Sequence, residues 1–383
     1  MASDVHAQKV ESRLLIAATT ALFLSTLDTG IVTLAVVPLA NALGASPATA
    51  SWTVTAYALA VSVALLPAGW LADRLGSLRV FRVGIGVFAA ASLLCAAVPS
   101  MSLLIGARVF QGCAAALIQA TAPALIAGLS PARQAAGYGW LSVAAGLGVV
   151  LGPPVAGLLL SIDGWRLLFL INLPVSAVAY ALATGANVPA RVSAWLRPSR
   201  RVVAAMIGSS ALGASTAIIL IVPPAVLHGT GLPVWLIGLV GLLAPLGQVI
   251  VARATGTVIT RRGPMLPFFA GLAIMLASVA GLAVLGVKLE PGTYALLLLF
   301  GFGSGLFQPA GFASALAGAD PQERARIGAL VRLATNLGIA AGGWLSAAGG
   351  SRPWEAAAIL IVVAAALAAA LDGLLARRLA ARS

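Results

Sequence analysis

Long apolar stretches separated by short polar segments extend over almost the whole chain. Twelve stretches approach or exceed the roughly 20 largely apolar residues that a helix needs to cross a bilayer. We number them as spans 1 to 12: residues 14–40, 49–70, 80–98, 102–128, 137–161, 167–186, 202–226, 232–252, 265–287, 292–316, 328–348 and 355–376. The pattern predicts an all-α membrane protein with twelve transmembrane helices.

Composition excludes a water-soluble fold. Of 383 residues, 61% are hydrophobic and only 9% are charged, with a mean hydropathy of +1.05. Soluble domains carry about 25% charged residues, which they need to cover their surface. Residues 1–12 are polar and precede a full-length span, so we expect no cleavable signal peptide at this end.

The net charge of +13 is a topology signal because the basic residues are unevenly placed. Nineteen of the 23 lie in the tails, in the segments after even-numbered spans, or at the adjoining helix ends. Only Arg166, Lys288 and Arg352 lie in segments after odd-numbered spans, and Arg108 lies inside span 4. This positive-inside pattern predicts cytoplasmic termini and argues against nucleic-acid binding.

A polar segment at residues 187–201 divides the spans into two groups of six. We expect a bundle at 1–186, a cytoplasmic linker, and a second bundle at 202–383. An internal repeat favours this division: glycine, arginine and glycine recur with the same spacing in Gly69–Gly76 and Gly256–Gly263. Two parallel repeats with a substrate site between them are a known plan for transporters.

Asp28 lies near the middle of span 1. A charged carboxylate at that depth costs about 2.5–3.5 kcal/mol, so it should face the bundle interior or a wet cavity. Such a group can load and release a proton or meet a cationic substrate. The alternative is a hydrogen-bonded packing aspartate beside Thr26 and Thr29.

Span 4 carries Arg108, Gln111 and Gly112. Arg108 and Gln111 are three residues apart and share a helix face, while Gly112 permits a close helix neighbour. A guanidinium at this depth needs partners, which Asp28 or a backbone carbonyl could supply. The alternative is an arginine that extends towards the helix end to reach water.

Span 5 contains glycines and a proline pair, with Gly148, Gly152, Pro153 and Gly157 as its main positions. Prolines remove backbone donors and glycines remove side chains, so we expect a kinked helix with a flat, close-packed face. Its function would be a hinge or a seal between the halves. Plain small-residue packing is the alternative, although it does not account for the proline pair.

The sequence predicts no metal site, no cofactor and no enzyme activity. Both cysteines, Cys95 and Cys113, lie in spans, and the two histidines, His6 and His228, are far apart. No acids, bases or nucleophiles cluster at one membrane face.

These segments together resemble the major facilitator superfamily, and most closely its drug:proton antiporter branch, whose commoner members have fourteen helices. The resemblance implies that Gly69, Asp73, Arg74 and Gly76 form a cytoplasmic gate motif. It also implies that the span-4 arginine takes part in proton transfer. Further matching stretches, to which we assign no separate role, include residues 27–32, 52–57 and 301–309, Trp165 and Arg166 with Phe169, Asn172 and Pro174, and Arg332 to Gly338.

The chain also departs from that branch. Gly148, Gly152, Pro153 and Gly157 resemble the antiporter motif of span 5, but Ala156 replaces one of its glycines. Ser77 and Leu78 stand where the gate motif usually has basic residues. With twelve spans, the chain lacks the extra central pair of the longer relatives. Few acidic residues remain inside the second half, which makes Asp28 the main candidate for proton coupling.

We therefore expect a monomeric exporter in the cell membrane that exchanges protons for a hydrophobic or amphipathic small molecule. Polar contacts in its cavity would come from Tyr57, Gln248, Gln308 and Asn336. Proton-coupled uptake and specific metabolite transport are alternatives. A membrane sensor that does not transport is the alternative from another class.

Overall fold

The computed structural model describes residues 2–162, 164–184, 199–316, 321–346 and 352–380. These residues are helical almost throughout and form no strand. The fifteen helices are α1 (Ala2–Leu34), α2 (Val36–Ala42), α3 (Pro47–Leu75), α4 (Ser77–Ala97), α5 (Met101–Ala127), α6 (Pro131–Ile162), α7 (Leu167–Leu170), α8 (Asn172–Ala183), α9 (Arg200–His228), α10 (Val234–Gly241), α11 (Leu243–Arg262), α12 (Met265–Leu285), α13 (Pro291–Leu316), α14 (Pro321–Ser346) and α15 (Arg352–Ala380).

Over their described residues, the twelve predicted spans fall on these helices. Three spans are each broken into two helices by a single residue: Ala35 between α1 and α2, Ile171 between α7 and α8, and Leu242 between α10 and α11. Within the described ranges, nine helical stretches are long and apolar enough to cross a membrane, and two shorter ones are also apolar. The predicted all-α membrane fold is confirmed.

Polar residues and glycines set the helix ends. The side chains of Ser46, Ser100 and Ser199 accept hydrogen bonds from the first backbone N–H groups of α3, α5 and α9. Gly76 ends α3 with φ +91° and Gly263 ends α11 with φ +78°, a region that side chains other than hydrogen disfavour. The two glycines that close the predicted repeat therefore have similar backbone φ angles and the same role.

The chain divides into two compact units. One consists of Met1–Ala194 with Pro233–Leu239, and the other of Trp195–Leu232 with Val240–Ser383. Most of the predicted linker, residues 187–198, lies outside the described residues. The division into bundles at 1–186 and 202–383 stays a prediction.

Glycines bring α1 and α6 of the first unit into direct backbone contact. A Cβ atom added at Gly152 would lie 2.6 Å from the Cα atom of Gly30, and one at Gly148 would overlap the side chain of Thr26. On α10, which belongs to the same unit up to Leu239, a Cβ atom at Gly238 would lie 2.7 Å from the carbonyl oxygen of Pro153. The α6 helix continues through both prolines.

The second unit repeats these close helix pairs. The pairs α1–α6, α3–α5 and α4–α5 of the first unit correspond to α9–α14, α11–α13 and α12–α13 of the second. In each pair, the two helices meet at a glycine where an added Cβ atom would overlap the facing helix. The glycines of the first unit are Gly152, Gly112 and Gly84, and those of the second are Gly342, Gly301 and Gly271. Matching glycines at matching helix contacts support the internal repeat that the sequence indicates.

Replacement of Gly152 by alanine should lower the thermal stability of the purified protein in detergent. The new methyl group meets the backbone of Gly30, which cannot rotate away, and such overpacking costs about 1–3 kcal/mol. Gly146→Ala is the matched control because it lies on the same helix with open space around it. An unchanged melting temperature for Gly152→Ala would show that the α1–α6 contact is looser than described.

Candidate functional site

Asp28 is completely buried in the C-terminal part of α1. The hydroxyl groups of the neighbouring Thr26 and Thr29 donate to carbonyl oxygens of α1 itself. Whether Asp28 is a proton-coupling group or a hydrogen-bonded packing residue stays a prediction. The partners of Asp28 come from two other helices.

Three side chains donate hydrogen bonds to the Asp28 carboxylate. Arg108 Nη1 on α5 lies 2.5 Å from Oδ2 and forms an ion pair with it. Gln111 Nε2 lies 3.0 Å from Oδ1, and Asn172 Nδ2, at the start of α8, lies 2.8 Å from the same oxygen. A carboxylate only accepts hydrogen bonds, so three donors suit its charged form.

Arg108 is also completely buried, so it does not extend to the helix end. Its Nε donates to the backbone carbonyl of Thr53 at 3.0 Å, and its guanidinium carbon lies 4.1 Å from the ring centre of Tyr57. Tyr57 in turn donates its hydroxyl to the carbonyl of Ser25 at 3.2 Å. The aromatic face and the carbonyl group stabilise a cation that cannot reach water.

A hydroxyl group on α4 connects the two amides. Ser92 Oγ accepts from Gln111 Nε2 at 2.8 Å and from Asn172 Nδ2 at 3.1 Å, while it donates to the carbonyl of Phe88 at 2.8 Å. Gln111 Oε1 accepts from Arg108 Nη1 and from Cys95 Sγ. We call Asp28, Arg108, Gln111, Asn172 and Ser92 the polar network. It joins four helices of the first unit.

Sequence reasoning identified three members of the polar network and gave the other two no role. Asp28, Arg108 and Gln111 stood out as charged or polar groups in apolar spans. Asn172 was noted only within a stretch of family resemblance, and Ser92 was not noted. An amide directly before an apolar run was the available signal for Asn172, although the break at Ile171 that places it beside Asp28 is not visible in the sequence.

The second unit has apolar residues at the positions equivalent to the ion pair. Leu297 precedes Gly301 by four residues, as Arg108 precedes Gly112, and it is buried in the apolar core of its unit. Leu212 precedes Ala214, the contact of Gly342, by two residues, as Asp28 precedes Gly30. The equivalent sites of the two units therefore differ in chemistry, because the ion pair belongs to the first unit.

Three of the predicted cavity residues, Gln248, Gln308 and Asn336, belong to the second unit. Gln248 Nε2 on α11 donates to Gln308 Oε1 on α13 at 2.6 Å, and the Gln308 side chain is exposed on its unit. Asn336 is half-buried in α14. Their role in substrate binding stays a prediction, as does that of Tyr57.

The gate motif occupies the end of α3 and the turn into α4. Gly69 and the half-buried Asp73 lie in the last turns of α3, and Gly76 forms the turn. The guanidinium carbon of Arg74 lies 4.0 Å from the ring centre of Trp70, which fits an anchor in the interfacial layer of a membrane.

No group of three or more His, Cys, Asp or Glu side chains that could hold a metal ion occurs in the part of the chain that the structure describes. The polar network itself consists of one carboxylate, one guanidinium and neutral amide and hydroxyl groups.

The fold matches solved structures of membrane transporters. A bacterial homologue of the human lysosomal transporter Spinster, in an inward-facing and unoccupied conformation, aligns with 94% of this chain and 97% of its own, with a TM-score of 0.75 and 16% identity. The xylose transporter XylE from E. coli, partially occluded and inward open, aligns with 93% of this chain and 96% of its own, with a TM-score of 0.75 and 14% identity. These similarities show the fold alone.

The long apolar helices define a multi-pass helical membrane protein. Residues 18–343 match the Major Facilitator Superfamily, and the chain belongs to this family. It is therefore a member of a transporter family and not of an enzyme family.

Curated relatives match part of the chain. The methylenomycin A resistance protein of Bacillus subtilis is 34% identical over 193 residues, which are 50% of this chain and 41% of the relative. A putative multidrug resistance protein, MdtD, of Klebsiella pneumoniae is 36% identical over 42% of this chain and 34% of its own. The riboflavin transporter RibZ of Clostridioides difficile is 33% identical over 42% and 35%. Each match spans less than half of the relative's length.

A double-mutant cycle should reveal the ion pair as a strong energetic coupling. Arg108→Met leaves the Asp28 carboxylate buried without its cation, and loss of one partner of a buried pair costs about 3–5 kcal/mol. Asp28→Asn combined with Arg108→Met removes both charges and should restore much of the lost stability. Thermal unfolding of the three purified variants in detergent measures this. Additive losses in the double variant would contradict the coupling.

Proposed function

We propose that this protein is a secondary active transporter that exports a hydrophobic or amphipathic small molecule in exchange for protons, by alternating access. The observation that carries the proposal is the completely buried ion pair between Asp28 and Arg108. Intramembrane charges are costly, and in transporters they mark ion pathways and proton relays.

Protonation of Asp28 would change the charge balance of the polar network. The pair is neutral as a whole while Asp28 is ionised. When Asp28 takes up a proton, Arg108 keeps its charge but loses its counterion, so contacts between α1 and α5 weaken. A proton thus favours a different arrangement of these helices, which is the differential interaction that a switch between two states requires.

The direction of transport is proposed from the relatives. Two of them are named for resistance to methylenomycin A or to multiple drugs, which supports export. The riboflavin transporter among the relatives supports transport of a specific metabolite as the second candidate. The substrate would meet mostly apolar surface, with Gln248, Gln308 and Asn336 as polar contacts.

The remaining motifs take supporting roles in this proposal. Gly69, Asp73, Arg74 and Gly76 would form the gate on the cytoplasmic side. The glycines of α6 would let this helix slide or bend against α1, because no side chain separates their backbones. The protein would act as a monomer in the cell membrane with both termini in the cytoplasm, as the distribution of basic residues indicates.

Asp28→Asn should abolish transport that is driven by a proton gradient. Asparagine keeps the shape of the protonated acid and cannot release a proton. In proteoliposomes with an acidic lumen, the wild type should accumulate a substrate from a panel that includes methylenomycin A and riboflavin. The variant should lose this accumulation but keep exchange of bound substrate at equal pH on both sides.

Glu290→Gln is the matched control, since it neutralises an exposed acid outside the polar network and should leave accumulation unchanged. Full gradient-driven accumulation by Asp28→Asn would end the proposal. Accumulation only with an alkaline lumen would assign proton-coupled uptake in place of export.

A further inference from the structure

Among the described residues, only the NH2 group of the Asn172 side chain forms hydrogen bonds, and its carbonyl oxygen does not. Its Nδ2 donates to Asp28 Oδ1 and to Ser92 Oγ, so both amide hydrogens have partners. Its carbonyl Oδ1 is buried and has no hydrogen-bond partner among the described residues. A buried amide oxygen without a donor costs free energy, so an unpartnered acceptor beside a carboxylate needs an explanation.

Gln111 is the other amide beside Asp28, and its carbonyl oxygen is fully used. Gln111 Oε1 accepts from Arg108 Nη1 and from Cys95 Sγ, while Nε2 donates to Asp28 and Ser92. If this amide turned over, its NH2 group would face the Arg108 cation. Gln111 is therefore fixed in its present orientation, and Asn172 is not.

When Asp28 is protonated, its new O–H group requires a hydrogen-bond acceptor, and only an amide that has turned over supplies one. Oδ2 faces the Arg108 cation at 2.5 Å, so a proton binds at lower cost to Oδ1. Oδ1 faces two NH2 groups, and neither can accept a hydrogen bond from the new O–H group. An amide that rotates by half a turn exchanges its NH2 group for its carbonyl oxygen at the same place.

We propose that Asn172 is an amide switch that turns over when Asp28 binds its proton, so that Asn172 Oδ1 accepts the hydrogen bond of the Asp28 O–H group. The inference rests on the proposed proton coupling. The proton comes from water and forms one bond, to Asp28 Oδ1, and it returns to water when Asp28 is deprotonated. Asn172 gains and loses no atom, so it is a positioning residue.

The groups around Asp28 leave this role to Asn172. The charged or titratable side chains that face Asp28 are Arg108 on α5, Tyr57 on α3 and Cys95 on α4. Arg108 is a donor only, the Tyr57 hydroxyl donates to Ser25, and the Cys95 thiol donates to Gln111. Among the described side chains of α6, α7 and α8, none that is charged or titratable faces Asp28.

The switch would connect the proton to contacts between helices. In the described state, Asn172 joins α8 to α1 through Asp28 and to α4 through Ser92. After the turn, the carbonyl oxygen of Asn172 faces these two groups, so Ser92 keeps a partner there only if its own hydroxyl leaves the Phe88 carbonyl. One proton thereby rearranges hydrogen bonds on three helices.

Infrared difference spectroscopy of the purified 383-residue protein tests the switch without a substrate. Acidification should produce a carboxyl C=O band that Asp28→Asn removes. Asn172→Leu has a similar volume but cannot accept a hydrogen bond, so the band should move to higher frequency. Ser176→Ala, one turn further along α8 and outside the polar network, is the matched control and should leave the band in place.

An Asp28 band that stays at the same frequency in Asn172→Leu would overturn the switch and leave proton coupling intact. If acid produces no band that depends on Asp28, the proposed function fails together with the inference. Wild-type protein with carbon-13 in its asparagine carbonyl groups gives a second readout that needs no change at residue 172. Acid should lower the frequency of one labelled amide band in the wild type and should not do so in Asp28→Gln.

Discussion

The buried ion pair between Asp28 and Arg108 is the constraint on which the first unit depends. Neither charge can reach water, so each must be held by groups on neighbouring helices. This requirement explains why an amide, a hydroxyl, a backbone carbonyl and an aromatic ring converge on one place in an otherwise apolar bundle. A change in the charge of Asp28 therefore alters hydrogen bonds that join α1, α4, α5 and α8.

Close backbone packing makes such a convergence possible. Gly112 lets α5 approach α3 so that Arg108 reaches both Tyr57 and the carbonyl of Thr53, and Gly152 brings α6 against α1. The second unit keeps the same glycine contacts but fills the equivalent interior with leucine and phenylalanine. The two units therefore share a scaffold of glycine contacts but differ in the chemistry of their interiors.

Much of the fold and part of the site could be predicted from the sequence. Bilayer thickness fixes the length of an apolar span, and the spacing of Arg108 and Gln111 fixes their common helix face. The contribution of Asn172 could not be predicted, because it depends on the helix break at Ile171 and on how α8 packs against α1 and α4. Likewise, the stacking of Tyr57 on Arg108 and the pairing of Gln248 with Gln308 join residues far apart in the chain. Only the packed structure brings them together.

We propose that Asp28 carries the transported proton, and a count of bound protons tests this proposal most directly. An acid pulse is applied to wild type and Asp28→Asn, both purified in weakly buffered detergent solution, and a pH-indicator dye reports the uptake. We expect the wild type to bind about one proton per molecule more than the variant, since only one group has been made unable to titrate. Equal uptake by the two proteins would contradict it.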